Sequence, residues 1–138
     1  FNLARAFGEL NQWAEAVAQY REAARLFPDD YATQFNLARA LYKQGDAAAA
    51  VPEYQKAIAL QPEDPTFRTA LAVAYERLNR RNDAAAEYAQ YLELAPDAPD
   101  ADKVRARIAQ LLPPRSARRP AERRWVTIKY TPRSDASS

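Results

Sequence analysis

The stretch Phe1-Asn2-Leu3-Ala4-Arg5-Ala6 recurs without change at residues 35–40, a shift of 34 positions. The same shift relates aliphatic, small and aromatic residues further along the chain, and a proline closes each of three units. A period of this length indicates a solenoid or another repeat array. The repeat therefore decides the fold. The aligned sets are Leu3, Leu37 and Leu71; Ala16, Ala50 and Ala84; Tyr20, Tyr54 and Tyr88; Pro28, Pro62 and Pro96.

Within each unit the pattern predicts two helices. In the first unit, Leu3, Ala4 and Phe7 share one face of a first helix, and Ala16 and Tyr20 share one face of a second. Small alanines let two helices approach closely, and the closing proline pushes the residue before it out of the α region. Residues that tolerate the left-handed conformation ending a helix lie between the two helices, namely Asn11, Gly45 and Asn79.

The repeat stops near residue 98. Arg105 stands where a further shift would repeat Leu71, and a stripe of Ala101, Val104, Ile108 and Leu111 predicts a helix that caps the array. Phe1 has no N-cap before it, so we expect further repeats to precede it. The predicted organisation is an array over 1–112, with repeats 1–30, 31–64 and 65–98 and a capping helix at 100–112, followed by a tail at 113–138.

The 34-residue period, the closing prolines and the turn Tyr42-Lys43-Gln44-Gly45-Asp46 resemble the tetratricopeptide repeat family over residues 1–98. Gln34 and Arg68 depart from it, since the family often has Trp there. The resemblance implies an all-α fold, an α-solenoid of helix-turn-helix repeats with a C-terminal capping helix and an irregular basic tail. It also implies a protein–protein interaction scaffold that binds a peptide or protein segment in its concave groove, as a module of a larger bacterial-type assembly.

The composition lacks the residues that most catalytic mechanisms require. The chain has 0 Cys and 0 His, and residues 1–112 contain no Ser. Thiol nucleophiles, the commonest general base and the commonest zinc ligands are therefore missing. Acidic pairs such as Asp29 and Asp30 adjoin prolines, where helix capping explains them. We expect no enzyme activity, no metal and no cofactor.

The first helices of successive units line the concave face of such an array. An Asn amide there can pair with a peptide backbone whatever its sequence, and the resemblance implies this role for Asn2 and Asn36. Several basic residues on the same face favour an acidic segment. The chaperone-type carboxylate clamp of the family is not reproduced at Phe1, Thr66 and Ala70. The predicted peptide-binding residues are Asn2, Arg5, Phe35, Asn36, Arg39, Tyr42, Lys43, Thr69, Val73 and Arg77.

The tail differs from the array. Residues 113–138 carry seven basic and two acidic side chains, which is typical of a flexible basic segment. Residues 125–130 form a β-prone run that predicts a short strand. Other functions remain open: nucleic-acid or anionic-membrane association through the tail, self-association through the N-terminal end, or an interaction domain of an enzyme whose catalytic part is absent. No compartment is assigned. The predicted tail contacts are Arg118, Arg119, Arg123, Arg124 and Trp125.

Overall fold

The computed structural model describes the backbone of residues 2–113 and the side chains of residues 9–113. Over that range the chain forms six α-helices and no strand. Each helix packs against the next in sequence, and α2 also touches α4. This stacking confirms the predicted all-α solenoid. The helices are α1 (Asn2–Leu26), α2 (Tyr31–Gln44), α3 (Ala47–Leu60), α4 (Pro65–Arg77), α5 (Arg81–Leu94) and α6 (Ala101–Leu111).

Two helical hairpins form the centre of the array. We call α2 with α3 the middle hairpin, and α4 with α5 the last hairpin. The turn of the middle hairpin passes through Gly45, which has φ of +100°, and the turn of the last passes through Asn79, with φ of +60°. Both residues adopt the left-handed conformation expected after a helix end, so the prediction is confirmed at these two positions.

The predicted turn at Asn11 is wrong, because α1 runs through this position without interruption from Asn2 to Leu26. At the equivalent place the middle hairpin has Gly45 for the left-handed residue and Asp46, whose carboxylate accepts a hydrogen bond from the Ala49 N–H at 3.0 Å. The first unit offers Asn11 and Gln12 instead. Gln is a good helix former and a poor N-cap, so it does not favour a helix start there.

Both hairpins start in the same way. The carboxylate of Asp30 accepts a hydrogen bond from the Ala32 N–H at 3.1 Å, and that of Asp64 accepts one from the Thr66 N–H at 3.0 Å. Pro65 follows Asp64 as the first residue of α4, where its missing N–H costs no helical bond. These caps fix where the two helices that carry the candidate site begin.

The core is built from the repeated positions. Ala38, Ala50, Ala72 and Ala84 are each 0% exposed, so the helices touch backbone to backbone at these points. The other buried repeat residues fill the space between hairpins; they are Leu37, Leu71, Tyr54 and Tyr88.

The last helix covers the open side of α5. Ala101, Val104 and Leu111 are buried and Ile108 packs beside them, which is the predicted stripe. The Tyr91 hydroxyl donates a hydrogen bond to the Asp100 carboxylate at 2.5 Å, joining α5 to the start of α6. Among the helices described, none is long and apolar enough to cross a membrane.

Candidate peptide-binding groove

The contact between α2 and α4 places their outward side chains on one surface. Arg39, Lys43, Val73 and Arg77 are exposed there, and Val73 is an apolar side chain left 40% accessible. Asn36 and Tyr42 are half-buried between them. We call this surface the groove face, defined by Asn36, Arg39, Tyr42, Lys43, Val73 and Arg77.

Two predicted site residues meet across the helix boundary. The Arg77 guanidinium of α4 lies over the Tyr42 ring of α2, with its carbon 5.1 Å from the ring centroid. A cation over an aromatic face is attracted by the ring quadrupole. The contact joins the two helices. Arg77 is exposed and makes no hydrogen bond or ion pair with a described residue, so its N–H groups remain available to an acceptor.

The polar side chains beside this stack have no hydrogen-bond or ion-pair partner among the described residues. In the part of the chain that the structure describes, Arg39 and Lys43 form no ion pair, and the Asn36 amide makes no hydrogen bond. Below them Tyr54 is buried, and this burial raises its pKa to about 12, an effect that Tyr42 increases and Arg39 opposes. The groove face therefore combines free cations with a free amide over an apolar floor.

Two other predicted residues are already engaged. Phe35 stacks on Phe67 with ring centroids 4.8 Å apart and meets Tyr54 at 5.7 Å, so most of its ring serves the packing of α2 on α3 and α4. The Thr69 hydroxyl donates a hydrogen bond to the Thr66 carbonyl at 2.9 Å. Both residues border the groove face, with less surface left for a ligand.

An ion-pair network beside the groove face was missed by the sequence analysis. Glu76 of α4 accepts hydrogen bonds from Arg107 of α6 and from the Tyr88 hydroxyl of α5, the latter at 2.5 Å. The hydrogen bond from Arg107 holds the pKa of Glu76 below its ordinary value, and the bond from Tyr88 adds to this. Burial, followed by the bond to Glu76, raises the pKa of Tyr88. The shift of 34 residues relates Arg107 to Arg39 and Val73, which was an available signal.

The remaining predicted residues are not placed. Asn2 and Arg5 lie within α1, but the described side chains begin at residue 9. The strand predicted at 125–130 also lies outside the described residues. So do all five predicted tail contacts: Arg118, Arg119, Arg123, Arg124 and Trp125. Within the described range, no group of three or more acidic side chains is arranged to hold a metal ion.

Two family models, both described as tetratricopeptide repeat, match residues 1–65 and 41–108. No protein of curated function matches the sequence. Several solved structures share the fold. The type III secretion translocator chaperone SycD of Yersinia enterocolitica has a TM-score of 0.68 at 15% identity, over 79% of this chain and 79% of that one.

Two further structures resemble the chain to a similar degree. The tetratricopeptide domain of OM64 from Arabidopsis has a TM-score of 0.65 at 26% identity, over 72% of this chain and 83% of that one. The first such domain of Spaghetti (RPAP3), solved with an HSP90 peptide, has a TM-score of 0.67 at 22% identity, over 80% and 88% of the two chains. On the repeat, the fold and these matches, the chain belongs to the tetratricopeptide repeat family.

Proposed function

We propose that the chain is a protein-interaction module whose groove face binds an extended segment of another protein, with acidic residues of that segment meeting Arg39, Lys43 and Arg77. The observation that carries the proposal is the pair of unpaired cations, Arg39 and Lys43, beside the Tyr42–Arg77 stack. Charge-assisted hydrogen bonds to carboxylates are the strong contacts available to such groups.

The other members of the groove face fit the same role. Asn36 offers both a donor and an acceptor to a peptide backbone. Val73 offers exposed apolar surface for a side chain. Two neighbours in fold are solved with peptides: SycD with a peptide of the translocator YopD, and RPAP3 with an HSP90 peptide. These complexes support a peptide-binding role for the shared architecture.

The experiment is a fluorescence-anisotropy titration of the 138-residue chain with a library of labelled extended peptides that contains matched acidic and neutral members. We expect the tightest binders to be acidic. The double variant Arg39→Glu/Lys43→Glu should weaken them by about 10- to 100-fold, because two favourable charge contacts become repulsive. Asn36→Ala should weaken acidic and neutral peptides alike.

The matched control is Arg21→Glu/Lys56→Glu, which makes the same charge change at exposed positions of α1 and α3. It should leave the affinity within about twofold at 0.15 M salt, since these exposed side chains are not part of the groove face and salt screens exposed charges. Equal losses in both double variants would show that only net charge matters. Unchanged binding in Arg39→Glu/Lys43→Glu would remove the groove face from the function.

A further inference from the structure

A cavity lies where α1, α2 and α3 meet, and none of its lining residues belongs to the groove face. Its volume is about 530 Å³, within the range of about 300–1,000 Å³ typical of small-molecule sites. Ala24 and Leu37 give it an apolar wall, and exposed Arg21 and Lys56 stand at its edge. The proposed function leaves this cavity unused.

The last hairpin shows what fills the corresponding place one repeat later. The shift of 34 residues takes Gln34 to Arg68 and Glu53 to Glu87. Arg68 Nη1 donates to Glu87 Oε1 at 3.0 Å, and the two side chains are 20% and 18% exposed. A guanidinium thus lies between the two helices of the last hairpin, held by a carboxylate.

Smaller side chains leave the corresponding place of the middle hairpin open. Gln34 is shorter than Arg68, and Ala24 stands where the next repeat has the buried Ile58. Glu53 does not turn to Gln34 but pairs with Lys56 at 3.2 Å. The carboxylate that corresponds to Glu87 is therefore present beside a cavity, without a guanidinium to hold.

Gln34 supplies a second acceptor. It is 4% exposed, and its Oε1 is buried with no hydrogen-bond partner, a state that few buried polar atoms in folded proteins show. The amide is held by one hydrogen bond, from Nε2 to the Pro28 carbonyl at 3.4 Å. This is long, and the terminal torsion of Gln has a broad energy profile. The amide can therefore rotate to offer Oε1 to a ligand in the cavity, which Gln34 lines.

The edge of the cavity carries cationic side chains, whereas its inner part carries hydrogen-bond acceptors. Lys56 is neutralised by Glu53, and Arg25 is neutralised by Glu22 at 2.6 Å. Arg21 forms no ion pair with any described residue. A ligand that replaced Lys56 at Glu53 would leave Lys56 free as well, so two cations would then face an anionic group at the edge.

We propose that this cavity binds a small guanidino carboxylate. The guanidinium occupies the place that Arg68 fills in the last hairpin and donates to Glu53 and to Gln34 Oε1. Its methylene chain lies along Ala24 and Leu37, and its carboxylate meets Arg21. This arrangement satisfies the buried acceptor and leaves the groove face free for its own ligand.

The test titrates the full chain, labelled with ¹⁵N, with three compounds. They are 4-guanidinobutyrate, butylguanidine, which keeps the cationic end alone, and butyrate, which keeps the anionic end alone. We expect the amide signals around Ala24, Leu37 and Lys56 to shift, and 4-guanidinobutyrate to bind at least about fivefold more tightly than either half-ligand. Nα-acetyl-arginine amide, which imitates an arginine within a peptide, should bind like butylguanidine. Equal affinity for all four compounds, or no shifts at the cavity, would overturn the proposal.

Two variants separate the ends of the ligand. Gln34→Arg tethers a guanidinium in the cavity and should lower the affinity for 4-guanidinobutyrate by at least about tenfold, while helical circular dichroism confirms the fold. Arg21 lies on the exposed edge, so Arg21→Gln should weaken 4-guanidinobutyrate by about three- to tenfold without affecting butylguanidine. Lys103→Gln, at an exposed position of α6 outside the cavity and the groove face, is the control that should leave the affinity unchanged. Retained affinity in both cavity variants would contradict the assignment.

Discussion

The middle and last hairpins have the same backbone plan and use different side chains to complete it. Leu37 and Leu71 are both buried, and so are the alanines that follow them. Yet Gln34 leaves a cavity where Arg68 forms an ion pair with Glu87. The comparison teaches that the apolar repeat sets the distance between helices, while the polar positions between them can change without changing the fold.

The turns of the two hairpins also share a backbone conformation and differ in the side chains that stabilise it. The middle hairpin combines Gly45 with the capping carboxylate of Asp46, whereas the last uses Asn79 followed by Arg80, which makes no capping hydrogen bond. Arg80 instead stacks over the Tyr75 ring at 4.6 Å and pairs with Asp83. Side-chain contacts of Arg80 with its neighbours thus take the place of side-chain capping in the last hairpin.

The largest effect should come from the repeated leucine. Leu71 is the largest fully buried side chain of the core, so Leu71→Ala should lower the free energy of unfolding by about 3–4 kcal/mol. Leu37→Ala should cost about 1 kcal/mol less, because Leu37 already borders the cavity and loses fewer packing contacts. Urea unfolding followed by circular dichroism measures both. A greater loss for Leu37→Ala would mean that the two hairpins are packed alike.

The second-largest loss of stability should come from breaking the Arg68–Glu87 ion pair. Glu87→Gln leaves the Arg68 charge between two helices without its partner and should cost about 1.5–2 kcal/mol, below the figure for a fully buried pair because the side chains are one-fifth exposed. Glu53→Gln removes a partner of exposed Lys56 and should cost less than about 0.5 kcal/mol. Thermal unfolding of the pair of variants compares them directly. Similar losses of stability in the two variants would show that Glu87 and Glu53 contribute alike to the fold.

The turn glycine should have a smaller effect. Gly45→Ala places a Cβ at φ of +100° but meets no atom within 4 Å, so its cost of about 1–1.5 kcal/mol is a backbone cost alone. Asn79→Gly, at the equivalent residue, should change stability by less than about 0.5 kcal/mol, because Asn tolerates this conformation. Chemical denaturation midpoints provide the measurement. A neutral Gly45→Ala would show that the turn relaxes to another geometry.

The smallest effect concerns the caps. Asp46→Ala should cost about 0.5–1 kcal/mol by removing the bond to the Ala49 N–H. Arg80→Ser adds a capping hydroxyl but gives up the stack on Tyr75, so we expect a net change below about 0.5 kcal/mol. The melting temperature should therefore fall in Asp46→Ala by more than it changes in Arg80→Ser. A large gain in Arg80→Ser would mean that the stack contributes nothing to the last hairpin.

The sequence predicted the features that recur from one repeat unit to the next. The aligned leucines, alanines and tyrosines identified the hairpins, and Gly45 and Asn79 located two turns. It failed at Asn11, because a residue that permits a turn does not enforce one when no cap follows. Spacing predicted basic residues on one surface of α2 and α4, and Arg39, Lys43 and Arg77 are exposed there; their role in binding stays a prediction.

Other features of the site required three-dimensional information. The bond from Arg107 to Glu76 joins residues 31 positions apart, and the repeat aligns Arg107 with earlier positions without naming its partner. The cavity depends on the volumes of Gln34 and Ala24 together, and these residues lie on different helices. A pattern of residue types records neither the rotation of a helix nor the space left between two of them.

The hydrogen bond between Arg107 and Glu76 has a consequence for thermodynamic linkage. It ties the last helix to the helix that carries Val73 and Arg77 of the groove face, and the Arg107 side chain remains 45% exposed. An anion that drew Arg107 away from Glu76 would loosen the attachment of α6. By reciprocity, any change that detaches α6 would raise the affinity for that anion by the same factor. The attachment of α6 is thus coupled to any ligand that competes with Glu76 for Arg107.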